Sequence, residues 1–237
     1  VCYVFKNNPV KRGSIMIIGP NPGTHASKMM VILLHGYGSC GENMTHLAYG
    51  LDIPGVTFWC PDGPQVCEAY PGGRQWFSLK DMDWQMDKLY ESWNSIAAVL
   101  GQAAKNLYTE IQEKWGNYSG PVVVGGFSQG AMMAYELGLF HPHFQGILGF
   151  SGAYCLTTEP KYQPPVFWTH ARDDQVVPCH WMMQSNELFV QNGLAPTHCI
   201  TPYGGHSIPE TALVASRTFL QQLLAHRESK HPRARGA

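Results

Sequence analysis

Charge is scarce in this chain and neither sign prevails: Lys and Arg number 16 against 17 Asp and Glu, and charged residues make up 14% of the whole. Globular chains usually carry about 25%. A formal net charge of -1 leaves no field to draw in nucleic acid or an anionic membrane, so neither is expected as a partner. Long apolar runs are missing as well. No stretch approaches the roughly 18 residues that a spanning helix needs. Val1–Gly13 lacks the apolar core of a secretory leader, and a soluble protein without stable membrane insertion is the expectation. The seven cysteines, Cys2, Cys40, Cys60, Cys67, Cys155, Cys179 and Cys199, are scattered and show no C-x-x-C spacing. An odd, dispersed set suits reduced thiols in a cytoplasmic protein better than a disulfide framework. The close pairs of metal-ligating type, His141-Pro-His143 and Cys179-His180, lack the spacing of a zinc site. No G-x-G-x-x-G follows an early strand, so neither a metal nor a nucleotide cofactor is expected.

What is present is enough for one sizeable core. The 237 residues are 44% hydrophobic and 12% aromatic, which fits a single domain over residues 1–225 followed by a flexible basic tail, 226–237. Apolar runs bounded by turn residues recur at Ile15–Ile18, Met29–Leu34, Val56–Cys60, Val122–Phe127, Gly146–Phe150, Val166–Thr169 and His198–Thr201. The second and fourth run without alternation, the mark of strands covered on both faces of a parallel sheet. Helical spacing joins Leu89, Trp93, Ile96, Leu100, Leu107, Ile111 and Trp115, with a break expected near Gly101. Further helices are expected from Ser128 to before Pro142, from His180 to Asn192, and through Leu213, Leu220, Leu223 and Leu224. Asn21-Pro22-Gly23 is a turn signal, so the first two runs read as an antiparallel hairpin. Strand and helix in alternation make an α/β layered fold.

The segment Val122 to Ala134 sets G-x-S-x-G, Gly126 to Gly130, between a buried strand and an apolar helix. That context is the one a nucleophile elbow requires, and it makes Ser128 the expected nucleophile. The helix N-terminus behind it turns free N–H groups toward any oxyanion formed there. A serine hydroxyl needs a general base and an orienting acid, in chain order Ser, Asp, His. After the run Val166–Thr169 stand Asp173 and Asp174, and after His198–Thr201 stands His206 in Gly204-Gly205-His206. His206 is the expected base. The residues alone leave the two aspartates level. The oxyanion donors expected are the N–H of Gln129, which follows the nucleophile, and that of Tyr37 in the Gly-spaced turn His35-Gly36-Tyr37-Gly38. His35 reads as structural rather than as a second base.

The order and spacing of L-L-H-G-Y-G, P-D-G-P, R-Q-W-F-S-L, G-G-F-S-Q-G-A-M-M, G-F-S-G, D-D-Q-V-V-P and G-G-H, from about Val31 to Leu224, resemble the phospholipase/carboxylesterase family of α/β-hydrolases. Acyl-protein thioesterases and bacterial carboxylesterases belong to that family. The resemblance implies an α/β-hydrolase fold: a mostly parallel sheet with an antiparallel N-terminal strand, helices on both faces and no large lid. It implies Ser128, Asp174 and His206 as the catalytic set, with Tyr37 and Gln129 as oxyanion donors, and it alone favours Asp174. The implied activity is hydrolysis of a small carboxylic ester, an acyl thioester or a lysophospholipid through an acyl-enzyme, without a cofactor. The loop past Tyr37 departs from the family, which more often has an acidic residue near Ser39-Cys40.

Only the short stretch Gly152–Pro164 follows the Gly146–Phe150 run before the next one begins, too little for a cap domain. The pocket wall is therefore expected from Gln65–Leu79, with Tyr70, Trp76 and Phe77 as substrate contacts. An open groove of this kind suits short or medium acyl chains. The alternative is a silent hydrolase-fold protein that binds in the same pocket. A homodimer is left open.

Overall fold

The computed structural model describes residues 16–22, 24–82 and 89–230. In chain order it contains β1 (Met16–Ile18), β2 (Met29–Leu34), α1 (Gly41–Leu51), β3 (Val56–Cys60), β4 (Gln65–Val66) and β5 (Arg74–Gln75). Then come α2 (Leu89–Trp115), β6 (Val122–Phe127), α3 (Gln129–Phe140), β7 (Phe144–Phe150), β8 (Val166–Ala171), α4 (Cys179–Gln191), β9 (Thr197–Thr201) and α5 (Glu210–Lys230). A seven-stranded sheet runs in the order β1-β3-β2-β6-β7-β8-β9. It is parallel except for β1, which lies antiparallel to β3.

Strand β2 shows why the sheet needs helices on both sides. Its side chains alternate between faces: Met30, Ile32 and Leu34 join the core under α2, α3 and α4, whereas Met29, Val31 and Leu33 join the core under α1 and α5. All six are fully buried. This is the doubly covered α/β-hydrolase architecture expected from the sequence.

Three local expectations are corrected, and one helix is added. The first two runs form no hairpin: Met16 pairs with Cys60 and Ile18 with Phe58, so β1 lies on β3. Both edges of β2 are already hydrogen-bonded, to β3 and β6, as its all-apolar composition demands of a central strand. Helix α1 has no counterpart in the sequence reading. Its N-cap, Cys40, makes no side-chain cap bond, and Asp62 from the far side of β3 accepts the Gly41 N–H at 2.7 Å instead. Helix α2 runs unbroken through Gly101, because Trp93, Ile96, Leu100, Ala104, Leu107 and Ile111 keep one buried face across it. That packing outweighs the roughly 1 kcal/mol a helical glycine costs. Finally, α5 carries residues 226–230 of the expected tail as helix, with Arg227 donating to the Ser119 carbonyl at 3.0 Å; residues 231–237 lie outside the described set.

Candidate active site

Ser128 sits alone between β6 and α3 with φ 55° and ψ -116°, a left-handed conformation that a side-chain-bearing residue adopts only when its surroundings force it. Packing supplies the force. A Cβ on Gly126 would strike the Gly130 carbonyl, and one on Gly130 would strike the Leu34 carbonyl, so the turn closes at these two glycines and presses α3 against β2. The Ser128 N–H donates to the Phe150 carbonyl at 2.9 Å, and the Ser128 carbonyl takes the Ala131 and Met132 N–H groups. The amides that open α3 have no carbonyl four residues back within the helix.

Two loops at the same end of the sheet bring Asp174 and His206 together. Asp174 follows β8 and His206 follows β9, parallel neighbours that both end at this edge. His206 Nδ1 lies 2.8 Å from Asp174 Oδ2, and the imidazole rests on Phe127, next in chain to Ser128, at 4.8 Å between ring centres. The other carboxylate oxygen of Asp174 accepts the Val176 and Val177 N–H groups, both at 2.9 Å. Burial pushes the Asp174 pKa up, but the bonds from His170 and His206 prevail and hold it well below the usual carboxylate range. Asp173 does something else: its carboxylate accepts the Gly205 N–H at 2.8 Å and so fastens the loop that carries His206. The Ser151 hydroxyl ties the same loop down through the Ser207 carbonyl at 3.1 Å.

His170 was not singled out by the sequence, yet its Nε2 lies 3.3 Å from Asp174 Oδ2 and 2.7 Å from the Val177 carbonyl. It is wholly buried on β8, and its Nδ1 makes no hydrogen bond among the described residues. A carbonyl only accepts, so the hydrogen is on Nε2, facing both oxygens.

The expected oxyanion loop, His35 to Ser39, is sewn to the segment before Trp76. Gly38 N–H donates to Arg74 O at 2.9 Å, Arg74 N–H to Ser39 O at 2.7 Å, and the Trp76 indole N–H to His35 O at 2.8 Å. Gln129 is buried with its side chain in the same seam. Its amide oxygen takes the Trp76 N–H at 3.0 Å and its amide nitrogen donates to Phe77 O at 2.9 Å. Trp76 and Phe77 thus act from inside the core, each only 1% exposed, and border a cavity of about 290 Å³ against α2. Tyr70 is largely exposed, and its ring occupies the space a Cβ on Gly38 would need. A depression of about 380 Å³ beside Tyr37 is lined by Glu68, Ala69, Leu79 and Lys80, which belong to or adjoin the stretch expected to form the pocket wall.

A more apolar cavity of about 300 Å³, lined by Trp93, Ala153, Tyr154, Trp181 and Leu188 among others, opens between the segment after β7, α4 and the start of α2. The residue before Ala153, Gly152, packs beside the elbow: a Cβ there would stand 3.0 Å from the Ser128 carbonyl oxygen. Ala153 and Trp181 also pack with Val177, whose N–H is bonded to Asp174. Scattered positions in the chain hid this cavity, since no local pattern links Trp93 to Trp181.

Comparison with known proteins places these features in a family context. A sequence model described as phospholipase/carboxylesterase matches residues 20–224. An acyl-protein thioesterase 1 from Gibberella zeae is 28% identical over 222 residues, 86% of this chain and 94% of that protein. Its namesake from Schizosaccharomyces pombe is 25% identical over 221 residues, 88% of this chain and 96% of that one. Among solved structures, that of esterase PE8 superposes with a TM-score of 0.77 at 30% identity, covering 89% of this chain and 98% of that chain.

Proposed function

This chain belongs to the phospholipase/carboxylesterase family of hydrolases, and we propose that it hydrolyses carboxylic esters and acyl thioesters through an acyl-enzyme on Ser128. The observation that carries the reading is the strained serine at the strand-to-helix turn, with the bonded pair His206 and Asp174 on the two loops beside it. His206 donates Nδ1–H to the Asp174 carboxylate, which fixes the tautomer and leaves Nε2 bare to take the Ser128 proton. Asp174, kept ionised, stabilises the imidazolium that results. The tetrahedral oxyanion is held by the N–H groups of Tyr37 and Gln129. His206 then returns the proton to the departing alcohol or thiol, and water repeats the cycle to free the acid.

The cavity beside Ala153 and Trp181 takes the acyl chain, and its modest volume favours short to medium chains. The depression beside Tyr37 faces the leaving group. Six unpaired cysteines among the described residues are in keeping with a reducing compartment such as the cytoplasm.

Ser128→Ala is expected to abolish both turnover and labelling by a fluorophosphonate while the circular dichroism spectrum stays native. Persistent labelling sinks the assignment, and absence of labelling in the wild-type protein favours the silent binding protein. In a panel of p-nitrophenyl esters and acyl thioesters, rates should follow the dissolved concentration, with no jump at the solubility limit.

A further inference from the structure

His35 is a buried titratable side chain that none of these proton transfers uses, and both of its nitrogens are committed. Nδ1 lies 2.8 Å from the Gly36 carbonyl oxygen, and since a carbonyl only accepts, Nδ1 carries a hydrogen. Nε2 receives the Gly63 N–H at 2.8 Å, so it is bare. These two bonds admit a single neutral tautomer. Burial agrees with it, lowering the pKa from 6.5 to about 4 against the opposing pull of the Gly36 bond. Service as a second base is excluded by the same geometry, because its lone pair is occupied.

The Gly36 carbonyl shares a peptide unit with the Tyr37 N–H. That unit is trans and planar, so fixing the oxygen on one side aims the N–H to the other. The oxygen also takes the Ser39 N–H at 3.1 Å. Two donors on one carbonyl draw electron density toward it and make the N–H of the unit a stronger donor. One peptide earlier, the His35 carbonyl holds the Trp76 indole, whose ring lies 4.9 Å from the imidazole. Trp76 in turn is bonded through its backbone to the side chain of Gln129.

We propose that His35 is a positioning residue of the oxyanion hole: its Nδ1–H sets the tilt and the donor strength of the Gly36–Tyr37 peptide, and Trp76 ties that setting to Gln129. The proposal rests on the acyl-transfer reading above. Fluorophosphonate labelling of wild type but not of Ser128→Ala establishes that reading separately, so the two stand or fall on different measurements.

The test compares His35→Asn, His35→Gln and His35→Ala, each checked by circular dichroism, with a soluble p-nitrophenyl ester. An Asn amide reaches the position of Nδ1 and a Gln amide that of Nε2. Outright loss of an oxyanion donor costs about 100–1,000-fold in kcat, and loss of its aim is expected to cost about 10–100-fold. The Ala and Gln variants should show that fall with KM nearly unchanged, and a peptide-aldehyde-type inhibitor, which forms a tetrahedral adduct, should weaken in parallel. The Asn variant should recover most of the activity. Wild-type kcat in all three, a loss confined to KM, or Asn as impaired as Gln would each overturn the proposal. Should His35→Ala fail to fold, the ranking of Asn above Gln decides alone.

Discussion

Two adjacent aspartates with different partners show how much a single side chain can commit. Asp174 faces two imidazoles and two backbone amides, whereas Asp173 holds one glycine N–H of the neighbouring loop. Asp174→Asn should therefore lower kcat by about four orders of magnitude, the cost of losing the orienting acid in other triads. Asp173→Asn keeps an amide oxygen able to accept from Gly205 and should retain most of the turnover. The reverse ranking transfers the role to Asp173. His35 makes a second claim, about pH. Its folded pKa of about 4 lies below the ordinary 6.5, so between these values the unfolded chain binds a proton that the native state refuses. The associated stability is complete above the upper value and is lost as the pH falls toward the lower one, on the order of 3 kcal/mol in all. Urea unfolding at pH 7.5 and pH 4.5 should show His35→Asn losing distinctly less stability than wild type. Equal losses would mean that the proton goes elsewhere.

The strand, turn and helix around Ser128 were legible in the sequence because everything that defines them is contiguous: a buried run, two glycines and an apolar helix. The same holds for the central strands, whose doubly apolar runs marked the layers. What the sequence hid depends on partners far along the chain. Helix α1 is capped by Asp62, β1 finds β3 rather than its neighbour β2, and Trp76 works on His35 from within the core. The choice of Asp174 over Asp173 likewise came from family resemblance, since local chemistry treats them alike. Helix α2 offers a test of the one break that sequence wrongly suggested. A Cβ on Gly101 would meet only the flexible end of Glu136, at 3.4 Å, and the backbone is already helical. Gly101→Ala should then stabilise the protein by about 0.5–1 kcal/mol, read as a rise in Tm of about 2–4 °C per kcal/mol for a chain of this size. A fall in Tm would mean that Glu136, which also takes the Tyr154 hydroxyl hydrogen bond, does not yield.

Across the whole molecule, the loops that carry Ser128, Asp174 and His206 gather at the end of the sheet where its parallel strands finish, and among the described residues the connection from β7 to β8 holds no helix that would cover them. The opposite concern is the rim of the sheet. Strand β1 contributes only three residues, Met16, Ile17 and Ile18, yet they occupy the outer hydrogen-bonding row of β3, a strand buried along its full length. Take those three away and Phe58, Trp59 and Cys60 present bare amides and carbonyls beside large apolar side chains. Such a row is a template for a second chain, and a short, uncharged, β-rich segment is the kind that stacks into fibrils. Clipping the chain at Asn21 should accordingly leave the chemistry standing while lowering the temperature at which light scattering sets in. An unchanged onset would mean that β3 is protected some other way. On that expectation the smallest strand in the sheet governs the protein's colloidal fate, setting a dispersed enzyme apart from a seed for its own precipitation.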